Sequence, residues 1–331
     1  MPVQIVGDKS YSEALTQRVN ELFHDAFKDE FDDTYCSLRF GEEERWLVIA
    51  KRFFSFKGPA RILDIGTGTG FVPSIVAPFL CEKDTLICTD ISGEILEVAK
   101  KKLSGKGFKC AFEFLKIERG IPYRLPFENN SVDAVTVNQV LHHVQDTEAF
   151  LKEVDRVLKP MGLFFVGNEP NKQFYTNRFL NYNYTFLKYA MNPMYLAYLT
   201  LRMVRLSETV KRMYFSLRHK DGSARLKREE KFSKINESLL REGLISSPLS
   251  STEIENIVDA KWSSRTDFNP WILMPTYKMK YLETYNHVGS VNVLHHGSRI
   301  IEAYDRFLLK RYPKEGSMFF AVYKKPPQPD V

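Results

Sequence analysis

The stretch Ile62-Leu-Asp-Ile-Gly-Thr-Gly-Thr-Gly-Phe-Val72 carries the strongest structural signal in the chain. An apolar run ends in three glycines, and a helical pattern follows. Glycines let the backbone come close to a ligand. A helix opening behind them presents free N–H groups and a positive dipole end. The combination predicts a strand–loop–helix turn that holds a polar or anionic group at the carboxyl end of the first strand. Gly66, Gly68 and Gly70 give G-x-G-x-G, whereas the dinucleotide fingerprint needs a small residue where Phe71 stands. Asp64, two residues before Gly66, would repel a pyrophosphate but suits an ammonium group.

Outward from this loop the rhythm continues. Apolar runs at Ile62–Ile65, Thr85–Thr89, Ala111–Phe114, Ala134–Val137 and Leu163–Val166 alternate with helical patterns near 72–80, 93–103 and 147–158. That order predicts an α/β, doubly wound, mostly parallel sheet with helices on both faces. Asp90 follows Gly70 by twenty residues, at the end of the second run. A carboxylate there is placed to accept both hydroxyls of a ribose. A ribose acceptor beside a loop that favours ammonium over phosphate fits S-adenosylmethionine, which offers an ammonium, a sulfonium and no phosphate.

Residues 61–166 resemble the class I S-adenosylmethionine-dependent methyltransferases, nearest to the group containing the ubiquinone/menaquinone-biosynthesis C-methyltransferases. The likeness is carried by Leu63–Gly70, Thr89-Asp-Ile-Ser92, Leu125–Val135, Val140-Leu-His-His-Val-Gln-Asp146 and Arg156-Val-Leu-Lys-Pro-Met-Gly162, in the family's order. It implies a seven-stranded Rossmann-like sheet and S-adenosyl-L-methionine as cofactor. The cofactor-binding residues it implies are Asp64, Ile65, Gly66, Thr67, Gly68 and Gly70 at the loop, and Asp90 and Ile91 at ribose and adenine. Asn138 and Gln139 would lie at the methionine end. The family places an acid before Leu-Pro-Phe to meet the adenine amino group. Ile121 stands there in this chain, and Glu118 is the nearby substitute.

Methyl transfer is an in-line displacement, and an acidic acceptor needs a base near neutral pH. His143, next to His142 after the fourth strand, is the candidate catalytic residue. His295-His296 has poor spacing for two ligands on one helix face, and no metal is expected. Without a Gly-x-Ser-x-Gly elbow, hydrolase chemistry is set aside.

The remaining segments divide the chain. Residues 1–57 read as an N-terminal helical cap, 58–169 as the cofactor-binding core, 170–245 as a helical aromatic and basic insertion, and 246–331 as the completion of the sheet. Ser250 and the acids behind it open a helix, Ile300–Leu309 is amphipathic, and Met318–Tyr323 reads as a last strand. From Lys172 to Arg241 there are 15 Lys/Arg against 5 Asp/Glu, while the whole chain carries +6. The stretch from Asn181 to Leu206 is aromatic and apolar, with Tyr189, Tyr195 and Tyr198 among its rings. Together these suit a small hydrophobic or aromatic acceptor, with membrane-surface or lipid contact through 181–241. The N-terminal region with Tyr35, Phe40 and Trp46 is a second candidate for acceptor recognition. Nucleic acid is not expected. An RNA or protein methyltransferase, a non-catalytic interaction module and, last, a nicotinamide dehydrogenase are the other readings. Four cysteines (Cys36, Cys81, Cys88 and Cys110) without a C-x-x-C spacing read as reduced thiols. With no apolar leader pattern or membrane span, a cytoplasmic enzyme is the expectation.

Overall fold

The computed structural model describes residues 11–30, 41–120, 123–190, 222–259, 268–288 and 299–328. Its centre is a seven-stranded sheet. The strands are β1 (Arg61–Ile65), β2 (Thr85–Asp90), β3 (Ala111–Lys116), β4 (Val132–Asn138), β5 (Leu158–Pro170), β6 (Lys278–Tyr285) and β7 (Met318–Lys324). Their spatial order is β3-β2-β1-β4-β5-β7-β6. The first five are parallel, and β7 runs antiparallel to both β5 and β6. The chain winds outward from β1 to β3, then returns to β4 beside β1. A ligand crevice is expected outside the carboxyl ends of β1 and β4, where this reversal occurs.

Strand alternation builds the two layers. Ile62, Leu86, Ala134 and Phe165 point to one face, under Trp46 and Ile49, Val72 and Val76, and Ala99 and Leu103. Those residues belong to α2 (Glu42–Phe53), α3 (Phe71–Val76) and α4 (Gly93–Ser104). Their neighbours Leu63, Ile87, Val135 and Phe164 point to the other face, under Phe150, Val154 and Val157 of α5 (Thr147–Val157). The two-proline segment from Phe268 to Tyr277 closes this second face. Phe268, Met274 and Tyr277 are buried there, and the Tyr277 hydroxyl donates to Asp155 at 2.7 Å.

Two helical groups flank the sheet. In the first, α1 (Glu13–Phe27) packs Leu15, Val19, Phe23 and Phe27 against α8 (Gly222–Arg241) and α9 (Ser251–Val258). Ser250 caps α9 in a capping box with Glu253. In the second, α6 (Lys172–Thr176) and α7 (Arg178–Ala190) bury Phe174, Leu180 and Tyr184 against Ile301 and Leu308 of α10 (Arg299–Arg311). Aromatic residues in the insertion therefore split. Tyr184 is core, whereas Tyr182 and Phe186 are exposed. Tyr35, Phe40, Tyr195, Tyr198, His295 and His296 lie outside the described residues, as does most of the proposed lipid-contacting segment. Among the described residues, no helix is long and apolar enough to cross a membrane.

Candidate active site

The glycine loop takes the geometry that its sequence requires. Gly66, Gly68 and Gly70 have φ of +71°, +53° and +84°, a region that side chains disfavour. At Gly66 space is also lacking, since a Cβ would sit 2.4 Å from Val140 Cγ2. Asp90, at the end of β2, accepts from the Gly68 N–H at 2.9 Å and from Ser92 N–H at 3.0 Å. Its carboxylate thus ties the first βα loop to the second. Burial raises the Asp90 pKa to about 6 despite these backbone bonds.

Asp64 and Gly70 turn away from the cavity in front of this loop. The Asp64 carboxylate is buried and accepts from Thr67 Oγ1 at 2.7 Å and Thr136 Oγ1 at 2.5 Å. It organises the loop from behind, and burial, helped by Asp90, raises its pKa to about 7. Gly70 is the N-cap of α3, and its missing side chain makes room for Leu103 and Ala99 of α4.

The ends of β4 and β5 meet over a buried acid from α2. Glu42 accepts from Gln139 Nε2 at 2.8 Å and from the Asn168 amide. Asn138 receives the Trp46 indole N–H at 2.9 Å. Gln139 and Asn168 both have left-handed backbones, which this shared hydrogen bonding holds in place.

Beyond Gln139 the chain forms a short turn, Leu141–His143. Glu169, fully buried at the end of β5, accepts from the Val140 and Leu141 N–H groups at 2.7 and 2.8 Å. Its second oxygen lies 2.9 Å from His142 Nδ1. A carboxylate only accepts, so this nitrogen is the donor. Burial works against the His142 cation, but Glu169 outweighs it and the pKa is raised. His143 Nδ1 donates instead to the Val258 carbonyl at 2.6 Å. Burial, then the adjacent His142, bring His143 down to about 4. His142, His143 and Asp259 bring one donor atom each within 4.8 Å, a spacing a metal could use. The Nδ1 atoms of both histidines are engaged in hydrogen bonds, which fixes the orientation of the two rings.

These parts enclose one cavity of about 460 Å³. Of the residues expected from sequence, Ile65, Gly66, Thr67, Gly68, Asp90, Ile91, Glu118, Asn138, Gln139 and His143 line it. Ile121 lies outside the described residues. Unanticipated walls come from Tyr123, Phe150, Val144, Tyr184 and a stripe on α1: Glu13, Gln17, Asn20 and His24. Those four positions share one helix face, beside the apolar stripe that packs on α8 and α9. The signal was present as polar residues at helical spacing, but a polar stripe ordinarily means solvent. Gln17 pins the helix: its amide donates to the Gly120 carbonyl at 3.1 Å and accepts from the Gly120 N–H at 3.0 Å.

Comparison with known proteins finds a methyltransferase domain in the same part of the chain. A family model described as a methyltransferase domain matches residues 63–166. The ubiquinone/menaquinone biosynthesis C-methyltransferase of Geotalea daltonii is 28% identical over 172 residues, covering 52% of this chain and 71% of its own. The demethylmenaquinone methyltransferase of Symbiobacterium thermophilum is 29% identical over 177 residues, covering 53% and 69%. Residues 63–166 form a methyltransferase domain of the S-adenosylmethionine-dependent kind. Among solved members of this methyltransferase class, one from Aquifex aeolicus is 27% identical and covers 38% of this chain and 64% of its own, with a TM-score of 0.33. The methyltransferase motifs lie in β1 to β5, whereas α1, which closes the cavity, lies outside the matched residues.

Proposed function

We propose that this methyltransferase transfers the methyl group of S-adenosyl-L-methionine to a small hydrophobic or aromatic acceptor carrying an ionisable proton, of the quinol class. The observation that carries this reading is a single cavity whose lining combines two kinds of chemistry. One is the open glycine backbone with Asp90, Ile91 and Glu118. The other is Tyr123, Phe150, Val144 and Tyr184 with two imidazoles. When bound, the cofactor supplies an electrophilic methyl group on a sulfonium.

In this proposal the Gly66–Gly68 backbone and Thr67 receive the methionine part, with Asp64 bracing the loop and Gly70 starting α3. Asp90 accepts the ribose hydroxyls, Ile91 packs on the adenine, and Glu118 lies at its edge. Asn138 and Gln139, held by Glu42, border the methionine end. The acceptor stacks among Tyr123, Phe150 and Tyr184. Its proton goes to the histidine pair. Sequence alone favoured His143, while the hydrogen bonds favour His142, because Glu169 both orients that ring and stabilises its cation. The named specificity of the two relatives, a quinone-type ring, supports an aromatic acceptor.

Calorimetric titration with S-adenosylhomocysteine, with NAD as control, tests the cofactor half. Saturable binding of the former alone is expected, and no binding would overturn the reading. A panel of quinols and aromatic acids, assayed for methyl incorporation, tests the acceptor half. Methylation confined to protein or RNA would sink it.

A further inference from the structure

Asn20 lies in the middle of the α1 stripe and is only 5% exposed. Its amide nitrogen donates to the Thr16 carbonyl at 2.9 Å, one turn back in the same helix. Its Oδ1 is buried and has no hydrogen-bond partner among the described residues. A buried amide oxygen in that condition is expensive, since desolvation goes uncompensated. Asn20 nevertheless lines the cavity together with Asp90, Ile91 and Glu118.

The helix that carries Asn20 is held at three points. Gln17 grips Gly120 in the segment after β3. Glu21 pairs with Lys116 at 2.6 Å and with Arg119 at 3.0 Å. Asp25 accepts from Ser92 Oγ at 2.5 Å, just past the end of β2. Residues 17, 21 and 25 therefore seat α1 across the ends of β3 and β2, the strands that carry Asp90 and lead to Glu118. The Nδ2 bond to Thr16 sets the amide orientation and leaves Oδ1 as the unused acceptor of a side chain that lines the cavity.

We infer that α1 is part of the nucleoside site, with Asn20 Oδ1 accepting a hydrogen bond from an N–H or O–H donor of the bound nucleoside. This inference rests on the cofactor reading above. The adenine amino group and a ribose hydroxyl offer the same chemistry. Glu118 lines the same cavity, and an acceptor supplied by α1 would add a neutral partner beside its carboxylate. His24, one turn further on, contacts His143 with ring centroids 5.7 Å apart. The same helix thus contributes to both kinds of lining.

The test is calorimetric titration of the full chain with S-adenosylhomocysteine and with its inosine analogue, in which the amino group is replaced by oxygen. Asn20→Ala is expected to weaken S-adenosylhomocysteine binding by about tenfold, in line with a lost neutral hydrogen bond. Asn20→Asp, which keeps an acceptor, should stay within about threefold. If the Asn20→Ala loss vanishes with the inosine analogue, the donor is the amino group; if it persists, the donor is a ribose hydroxyl. Should Asn20→Ala not fold, Asn20→Leu removes the acceptor at similar volume. Unchanged affinity in the folded acceptor-less variant would overturn the inference, including when only the acceptor KM rises, which would assign the oxygen to the methyl acceptor. Failure of the wild-type chain to bind S-adenosylhomocysteine would instead overturn the cofactor reading and this inference with it.

Discussion

Asp90 is where sequence, electrostatics and binding meet in one side chain. Replacing it by alanine removes two backbone bonds together with the proposed ribose acceptor. S-Adenosylhomocysteine binding should weaken by roughly 1.5–3 kcal/mol, the scale of a hydrogen bond to a charged group, as read by calorimetry. Its pKa of about 6 also sets a pH dependence. The ionised form accepts two hydroxyls and the protonated form loses one acceptor. Affinity should therefore be flat above pH 7 and fall as pH drops through about 6. Titrations in buffers of different ionisation enthalpy should show proton release on binding near pH 6. A pH-independent affinity between 5 and 8 would mean that the Asp90 carboxylate does not meet the ligand. Asp90 was legible from its spacing to the loop. Glu169 was not given a role, because its partner His142 lies 27 residues away and only the pairing of β4 with β5 brings them together. Glu169→Gln should lower kcat and shift its acidic limb, because the imidazole loses the anion that raises its pKa. An unchanged pH profile would separate His142 from the proton transfer.

At the scale of elements, the buried strands were the easiest to read and the covering helix the hardest. A central parallel strand is apolar on both faces and reads as an unbroken run. β6 escaped notice because it is an edge strand, Lys-Met-Lys-Tyr-Leu-Glu-Thr-Tyr, with charges alternating into solvent. α1 was recognised as a helix from Leu15, Val19, Phe23 and Phe27, but its opposite face was silent. Whether polar residues meet water or a cavity depends on what lies across from them, and Gly120 is 103 positions from Gln17. Gln17→Ala removes both bonds to Gly120. Amide exchange across Glu13–Phe27 should then accelerate by about tenfold, while exchange in β1 and β4 stays unchanged. Equal protection in both forms would show that α8 and α9 alone hold the helix.

Across the whole molecule, stability and chemistry reside in different places. Phe165 is fully buried between the sheet and α2, with its ring 4.8 Å from that of Phe54. Phe165→Ala should lower stability by about 3–5 kcal/mol through the cavity it leaves, measured by chemical denaturation. Cofactor affinity of the folded fraction should remain. A loss of affinity without a loss of stability would contradict this division. The order of secondary-structure elements from 61 to 166 was legible throughout. The assembly of α1, α8 and α9 into one cluster was not, because more than 190 residues separate Phe27 from Phe232, whose rings lie 5.6 Å apart.

The ionic seat of α1 also bears on the catalytic cycle. Glu21 with Lys116 and Arg119, and Lys28 with Glu94, seat the helix beside the cavity. A demethylated product held beneath that helix is expected to leave only when these contacts part, so its departure, rather than methyl transfer, is expected to set the pace of repeated turnovers. Raising ionic strength from about 0.1 M toward about 1 M shortens the screening length from about 10 Å to about 3 Å. Steady-state turnover should rise with added salt, while the first turnover, followed by rapid quench, keeps its rate.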